Sequence, residues 1–213
     1  MKSDARLVVQ TWLGSRLVIL LVVLYLAVTQ GRPLPQMFSN WDVEHFVAIA
    51  EHGYRGNDVA FFPGWPLLLR LVSLTGLPAW LGGLLLALVA SGLAAWALYR
   101  LGGAPAAIAW LLAPTAIFTV VPYTESLFCA AAFWAWDRAL AKQWWPAAAL
   151  AAVAASVRVS GVFLIFALAV LAWNQGGRRW SRLAWLLVPS AVVAGYATLL
   201  WQLTGCWTAW YPA

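Results

Sequence analysis

Charged residues are scarce in this chain, at 9% of 213 residues. A soluble domain carries about 25%. Acids are rarest: Asp and Glu number 7 against 13 Lys and Arg, for a net charge of +6. With 64% hydrophobic residues and a mean hydropathy of +0.81, this composition excludes a soluble globular enzyme and a disordered chain. The basic excess does not indicate a nucleic-acid partner, because the cations are spread between apolar runs, a pattern that reads as membrane topology. Cysteine is nearly absent as well. Cys129 and Cys206 lie far apart and form neither a disulfide framework nor a metal motif, so both are expected to be packing residues. No glycine-rich phosphate loop follows a strand. What is abundant is tryptophan, with 16 residues, as suits a bilayer protein with aromatic interface belts.

A spanning helix needs about 20 apolar residues. The runs between charges predict an all-α, polytopic membrane protein of about seven transmembrane helices in a single domain, residues 1–213. The first span is Leu17 to Gly31, extended by Trp12–Ser15. The second is Ala79–Tyr99, after a break at Gly76-Leu77-Pro78, and the third is Leu101–Thr124. The fourth runs from Glu125 into Ala141. The stretch from Gln143 to Gln175 holds two helices with a turn near Arg158–Gly161, and Leu183–Leu203 is the seventh. The basic, then apolar N-terminus could pass for a signal peptide. It continues as Gln30-Gly31-Arg32-Pro33 with no small-residue cleavage pattern, so a retained first helix is expected.

Placing the N-terminus in the cytoplasm puts nine of the 13 basic residues on the inner side: Lys2, Arg6, Arg16, Arg100, Arg138, Lys142, Arg178, Arg179 and Arg182. Asp42, Glu44, Glu51, Asp58, Glu125, His45 and His52 then lie outside or at the outer boundary. Any chemistry is thus expected to face outward.

The first outer loop, residues 30–64, exceeds the ~12–15 residues at which a loop is usually functional or disordered. Its aromatic content argues for order. Trp41 to His52 reads as a short helix capped by Ser39 or Asn40 and ended by Gly53. Val43, Phe46, Val47 and Ala50 form an apolar arc, the layout of an interfacial helix, with Asp42 beside it. Asp42 is either the far end of a capping box begun by Ser39 or a functional acid held at the lipid surface. An Asp42-Val43-Glu44 metal clamp would require unwinding, since residues two apart on a helix do not face each other. Asp42, His45 and His52 could converge on zinc, but polar-face histidines are the simpler reading. In Phe61-Phe62-Pro63-Gly64-Trp65-Pro66, the prolines fix the backbone and Gly64 allows a tight turn into the membrane.

At the outer end of the third span, Thr124 suits an N-cap and Glu125 the first turn of the fourth helix. Tyr123 and Glu125 could also line one cavity with Asp42. Arg158 is a charge inside a long apolar run. It either snorkels to the outer interface or contacts an anion, and its planar fork suits phosphate oxygens.

Four segments together carry a resemblance: Trp41-Asp42 through His52-Gly53-Tyr54, then Phe61-Phe62-Pro63-Gly64-Trp65-Pro66, then Pro122-Tyr123-Thr124-Glu125-Ser126, then Arg158-Val159-Ser160-Gly161. In order and topology the chain resembles the PIG-V (GPI mannosyltransferase II) family and its bacterial relatives, GT-C-type glycosyltransferases. The loop segments are the most specific part. The resemblance implies a polyprenyl-phosphate-linked sugar, most simply mannose, transferred with inversion to a glycan, lipid or protein acceptor on the extracytoplasmic face. It places Asp42 as general base, partly desolvated by Phe46 and Ile49. Trp41, Glu44, His45, His52, Tyr54, Arg55, Tyr123, Glu125 and Arg158 are then the substrate-contacting residues. Arg158, with Arg55 or His52, would meet the leaving phosphate. The resemblance fixes no cofactor, and a divalent metal is an open option. Family members are longer, so these 213 residues would hold the shared helical module, either as a piece of a longer chain or as a minimal version of it.

Two other classes compete. A lipid or solute transporter or flippase would place polar residues at mid-depth along several spans. Here those depths are almost wholly Ala, Leu, Val and Trp. A non-catalytic assembly subunit would tolerate Asp42→Asn without consequence.

Overall fold

The computed structural model describes residues 2–209, apart from the side chains of Lys2 and Asn57. The Trp210–Ala213 end lies outside the described residues. Among the described residues every regular element is helical. In chain order they are α1 (Lys2–Gln30), α2 (Leu34–Phe38), α3 (Asp42–His52), α4 (Gly64–Ser73), α5 (Ala79–Leu111), α6 (Glu125–Leu140), α7 (Trp144–Val157), α8 (Ser160–Asn174), α9 (Arg179–Trp185) and α10 (Leu187–Thr204). Two 3-10 turns, Gly56–Ala60 and Pro114–Thr119, stand between α3 and α4 and between α5 and α6. By length and composition, three stretches could cross a membrane: Ser3–Gln30, Ala79–Leu111 and Arg179–Thr204. α7 and α8 are apolar but shorter.

Alanine builds the bundle. Ala135 and Ala139 of α6 meet Ala147 and Ala151 of α7, all fully buried, with Leu168 and Ala172 of α8 in the same cluster. Small side chains let helix backbones approach closely, which is how helices associate where no hydrophobic difference from the surroundings drives them. Gly161 lets the start of α8 lie against the α7 backbone: a Cβ there would lie 2.3 Å from Ala155 Cα.

The boundary expected between the second and third spans falls close to where the helix turns back, and the third span needs correction. α5 is not one straight rod. Gly103 has φ 74 and ψ −174, inside what is otherwise continuous helix. A single buried cluster joins Val8 of α1 to Ala95, Ala107 and Leu111. In a straight helix Ala95 and Ala107 would be ~18 Å apart. The arm after Gly103 therefore folds back beside the arm before it, and Trp110 reaches Phe133 of α6 at 6.1 Å. The third expected span, Leu101–Thr124, is thus helical only to Leu111. Ala113 is extended and Pro114 begins a 3-10 turn, because proline at 114 disfavours helix in the residue before it.

Arg16 also departs from expectation. Counted among the inner-side cations, it is buried inside the bundle at 3% exposure. Its Nη2 donates to Thr119 Oγ1 at 2.6 Å and its Nη1 to Ser15 Oγ at 3.0 Å. At the end of α6 away from Glu125, Arg100 Nε and Arg138 Nε both donate to the nearly buried Asp137, at 3.0 and 2.9 Å, tying α5 to α6.

Candidate active site at the loop end of the bundle

The loop between α1 and α4 is held by side chains that bond to its backbone. Tyr54 donates to Phe61 O at 2.8 Å, and Tyr196 of α10 donates to Val59 O at 2.6 Å. His45 Nδ1 lies 2.8 Å from Asp58 Oδ1, and its ring stacks on Phe61 at 4.9 Å. The Arg55 N–H donates to Asp58 Oδ2 at 3.2 Å. The 3-10 turn at Gly56–Ala60 is thereby pinned to α3 on one side and α10 on the other.

α3 begins one residue later than expected, and no side chain caps it. Trp41 takes the N-cap position with φ 52, a left-handed value rare outside glycine. Asn40 turns back to donate to Gln36 O and Met37 O instead. The Ser39 capping box does not form, and Asp42 is not occupied as a cap. Gly53 ends the helix with φ 79, as the sequence suggested. Val43, Phe46, Ile49 and Ala50 are buried, which seats α3 on the bundle. Asp42 itself is exposed. Phe46 and Ile49 share its side of the helix without covering it, because Asp42 lies in the first turn, above them.

The Phe-Phe-Pro-Gly-Trp-Pro stretch anchors the next layer. Pro63, Gly64, Trp65 and Pro66 form the cap and first turn of α4, where missing N–H groups cost nothing. Fully buried Trp65 donates from Nε1 to Pro122 O at 3.0 Å. Gly64 is required for proximity and not for a turn: a Cβ would meet Ser156 Oγ at 2.3 Å and Ser156 O at 2.7 Å. The motif thus locks both the Pro122–Glu125 turn and the end of α7 against the loop.

These contacts create a cleft of about 170 Å³ lined by Asp42, Phe46, Ala60, Phe61, Phe62, Thr124, Val157, Arg158 and Val159. Asp42 and Arg158, distant in sequence, share its wall. Arg158 Nη1 donates to Thr124 Oγ1 at 3.0 Å and pairs with Glu125 Oε1. Thr124 does sit at the N-cap of α6, but its hydroxyl serves Arg158 and not the helix. Glu125 Oε2 is buried with no hydrogen-bond partner. Tyr123 stands one layer back, edge-on to Phe46 at 6.3 Å and to Phe118 at 5.4 Å. Burial raises its phenol pKa, and the nearby Asp42 charge adds to the shift. Burial raises that of Tyr54 too.

The remaining expected contacts lie outside the cleft wall. Trp41 is 75% exposed beside Asp42. Glu44, Arg55 and His52 are exposed. His52, ten residues along α3, is ~15 Å from Asp42 along the helix axis, so the two do not converge. Among the described residues no three His, Cys, Asp or Glu side chains gather as a metal-binding group. The Asp42-Val43-Glu44 pair therefore has no third ligand. Asp58 and Thr124 are the residues the sequence reading did not assign. For Asp58 the available signal was an acid closing a short turn behind Arg55. Thr124 gave a signal that fitted a helix cap equally well.

All-helical among the described residues, with membrane-length apolar helices and a cleft that brings an acid and a paired arginine together under an ordered loop, the chain falls in the class of helical integral membrane proteins. The comparisons narrow that class. The chain belongs to the PIG-V mannosyltransferase family, whose model matches residues 29–186 and so includes the whole cleft. GPI alpha-1,6-mannosyltransferase 2 of mouse and of rat is 36% identical over 144 residues, covering 58% of this chain and 29% of theirs. The human protein of that name is 35% identical over the same extent. The match thus spans under a third of the length of these curated relatives. No solved structure matches.

Proposed function

We propose that this chain is a membrane mannosyltransferase that takes its sugar from a polyprenyl-phosphate donor at the Asp42–Arg158 cleft, on the extracytoplasmic face. The observation that carries the reading is the meeting of Asp42 and Arg158 in one wall, within the segment that matches the family. Asp42 accepts the proton of an acceptor hydroxyl. The hydroxyl oxygen bonds to the anomeric carbon as the bond from that carbon to the phosphate oxygen breaks, so configuration inverts. The leaving phosphate keeps the electron pair, and Arg158 meets its charge. Glu125 and Thr124 are positioning residues: they hold the guanidinium at the cleft before the donor arrives. The exposed Asp42 is desolvated by the bound substrates themselves, with Trp41 beside it available for stacking on a sugar ring.

Chain order supports a seven-pass arrangement in one domain, with the N-terminus cytoplasmic. The passes are α1, the two arms of α5 with the following 3-10 turn, α6, α7, α8 and α10. The cleft is lined from the loop after the first pass, the turn after the third and the turn after the fifth. All three fall on the same side of the membrane by parity. The loop side holds most of the acids, and the opposite side holds the basic turns, as positive-inside sorting requires.

The test is mannose transfer by the full chain in proteoliposomes, offered polyprenyl-phosphate mannose and, separately, GDP-mannose. Transfer from the lipid donor alone, with inverted configuration in the product, is expected. Transfer from GDP-mannose alone overturns the donor assignment. Transfer from neither overturns the enzyme reading for this chain and favours a subunit without its own activity.

A further inference from the structure

The end of the bundle away from the cleft carries a second cavity with a different chemistry. α6 descends ~24 Å from Glu125 to Leu140, and α7 starts its return at Trp144, so the turn between them lies at the far end. There a cavity of about 600 Å³ opens between this turn and the α8–α9 turn. That is within the ~300–1,000 Å³ typical of ligand sites. Its charged walls are Lys142, Arg178 and Arg182, and its flat walls are Trp144, Trp145 and Trp185.

Three observations point to an anion. No acid lines the cavity. The nearest acid along the chain, Asp137, is already engaged by Arg100 and Arg138. Next, α7 begins at the cavity with Gln143 as N-cap and no side-chain acceptor for its first N–H groups. A helix N-terminus attracts negative charge. Independently, the Trp144 indole Nε1–H is buried with no hydrogen-bond partner, although Trp144 as a whole is only 5% exposed. A buried donor left unsatisfied costs about 1–3 kcal/mol, and an anion oxygen would satisfy it.

We propose that this cavity binds the phosphate of an anionic glycerophospholipid headgroup at the membrane surface opposite the cleft. Arg178, Arg182 and Lys142 hold the phosphate. Trp144 donates to a phosphate oxygen. The exposed rings of Trp145 and Trp185, at 65% and 46% exposure, take the boundary between headgroup and acyl chain. The same face carries more of this chemistry outside the cavity, where the Arg179 guanidinium sits 4.3 Å from the Trp173 ring centroid. Arg182 is already oriented, through its bond to Gly176 O at 2.7 Å. A phospholipid is favoured over a free anion because the walls pair cations with large, exposed apolar rings.

The experiment is native mass spectrometry of the full chain released from nanodiscs of phosphatidylcholine containing phosphatidylglycerol. Wild type, R178Q/R182Q and Trp144→Phe are compared. Wild type is expected to retain at least one phosphatidylglycerol in preference to phosphatidylcholine. Retention should fall about tenfold in R178Q/R182Q and by a smaller factor in Trp144→Phe. Arg178 is exposed on the turn, whereas Arg182 is half-buried in α9 and bonded to Gly176 O, so Arg178→Gln alone, which should keep its melting temperature, is run beside the double variant. Equal retention of the two lipids, or retention unchanged in R178Q/R182Q, overturns the proposal. Inorganic phosphate is titrated in a parallel arm. Saturable phosphate binding with no lipid retained would make the ligand a free anion and overturn the lipid assignment.

Discussion

The cavities at the two ends of the bundle use charge in opposite ways. At the loop end the cation of the cleft is paired, Arg158 with Glu125 and Thr124, and it shares the wall with the exposed carboxylate of Asp42. At the far end Lys142, Arg178 and Arg182 face one cavity with no acid in its wall. Paired charges are held in place before a substrate arrives, which is what positioning a leaving group demands. Cations around an open cavity with no acid in its wall leave their charge to be balanced by something that comes from outside. The first pattern therefore suits chemistry and the second suits retention of a lipid.

That contrast can be broken from either side. Arg158→Gln should have the largest effect, a loss of transfer of about 10²–10³-fold, the scale of removing one preorganised electrostatic contact. Because Arg158 is set to bind a phosphate, donor affinity and turnover should both suffer. Wild-type kinetics in the variant would remove Arg158 from the site. Glu125→Gln should cost less, about tenfold, and should act through Arg158. The double variant should then be no worse than Arg158→Gln alone, and additive losses would contradict that coupling.

Stability gives the next pair. Gly64→Ala forces a Cβ into Ser156 backbone atoms and should destabilise by about 1–3 kcal/mol, read as a lowered melting temperature in detergent. Asp137→Asn, at the far end, should cost a similar amount by leaving two arginines without their carboxylate. Phosphatidylglycerol should restore part of the second loss and none of the first.

The smallest effect is alkaline. Tyr123 has its phenol pKa raised above the ordinary 10.0, so the folded state favours the neutral ring. Its contribution to stability is complete below pH 10 and is lost as the pH rises through the folded value. A melting temperature that falls above pH 10, and falls less steeply in Tyr123→Phe, is expected. A flat profile in wild type would show that the loop does not depend on this ring.

Much of this was legible in the sequence. The first helix, α3 with its Gly53 stop, and the break at Arg158–Gly161 were all written in charge spacing and glycine placement. The fold-back at Gly103 was legible as the break between the spans ending at Tyr99 and beginning at Leu101, because Arg100 interrupts the apolar run there. What was hidden is the end of the second arm: Pro114 signals it, but a charge-to-charge reading runs on to Thr124. Arg16 misled for the opposite reason. A cation near the start of an apolar run looks like a membrane flank, and only the position of Thr119 reveals a buried partner. At the site, Asp42 and Arg158 stood out by residue type and spacing. The roles of Asp58 and Thr124 depend on contacts across 13 and 34 residues, which no local pattern encodes.

The most direct test returns to Asp42. Transfer from polyprenyl-phosphate mannose should be measured for wild type and Asp42→Asn in proteoliposomes, at equal amounts of folded protein by melting temperature. Asp42 is exposed and caps nothing, so the variant should fold as wild type does. A loss of about 10²–10⁴-fold in transfer is expected for a general base. Transfer at the wild-type rate would contradict the assignment of the cleft as the catalytic centre.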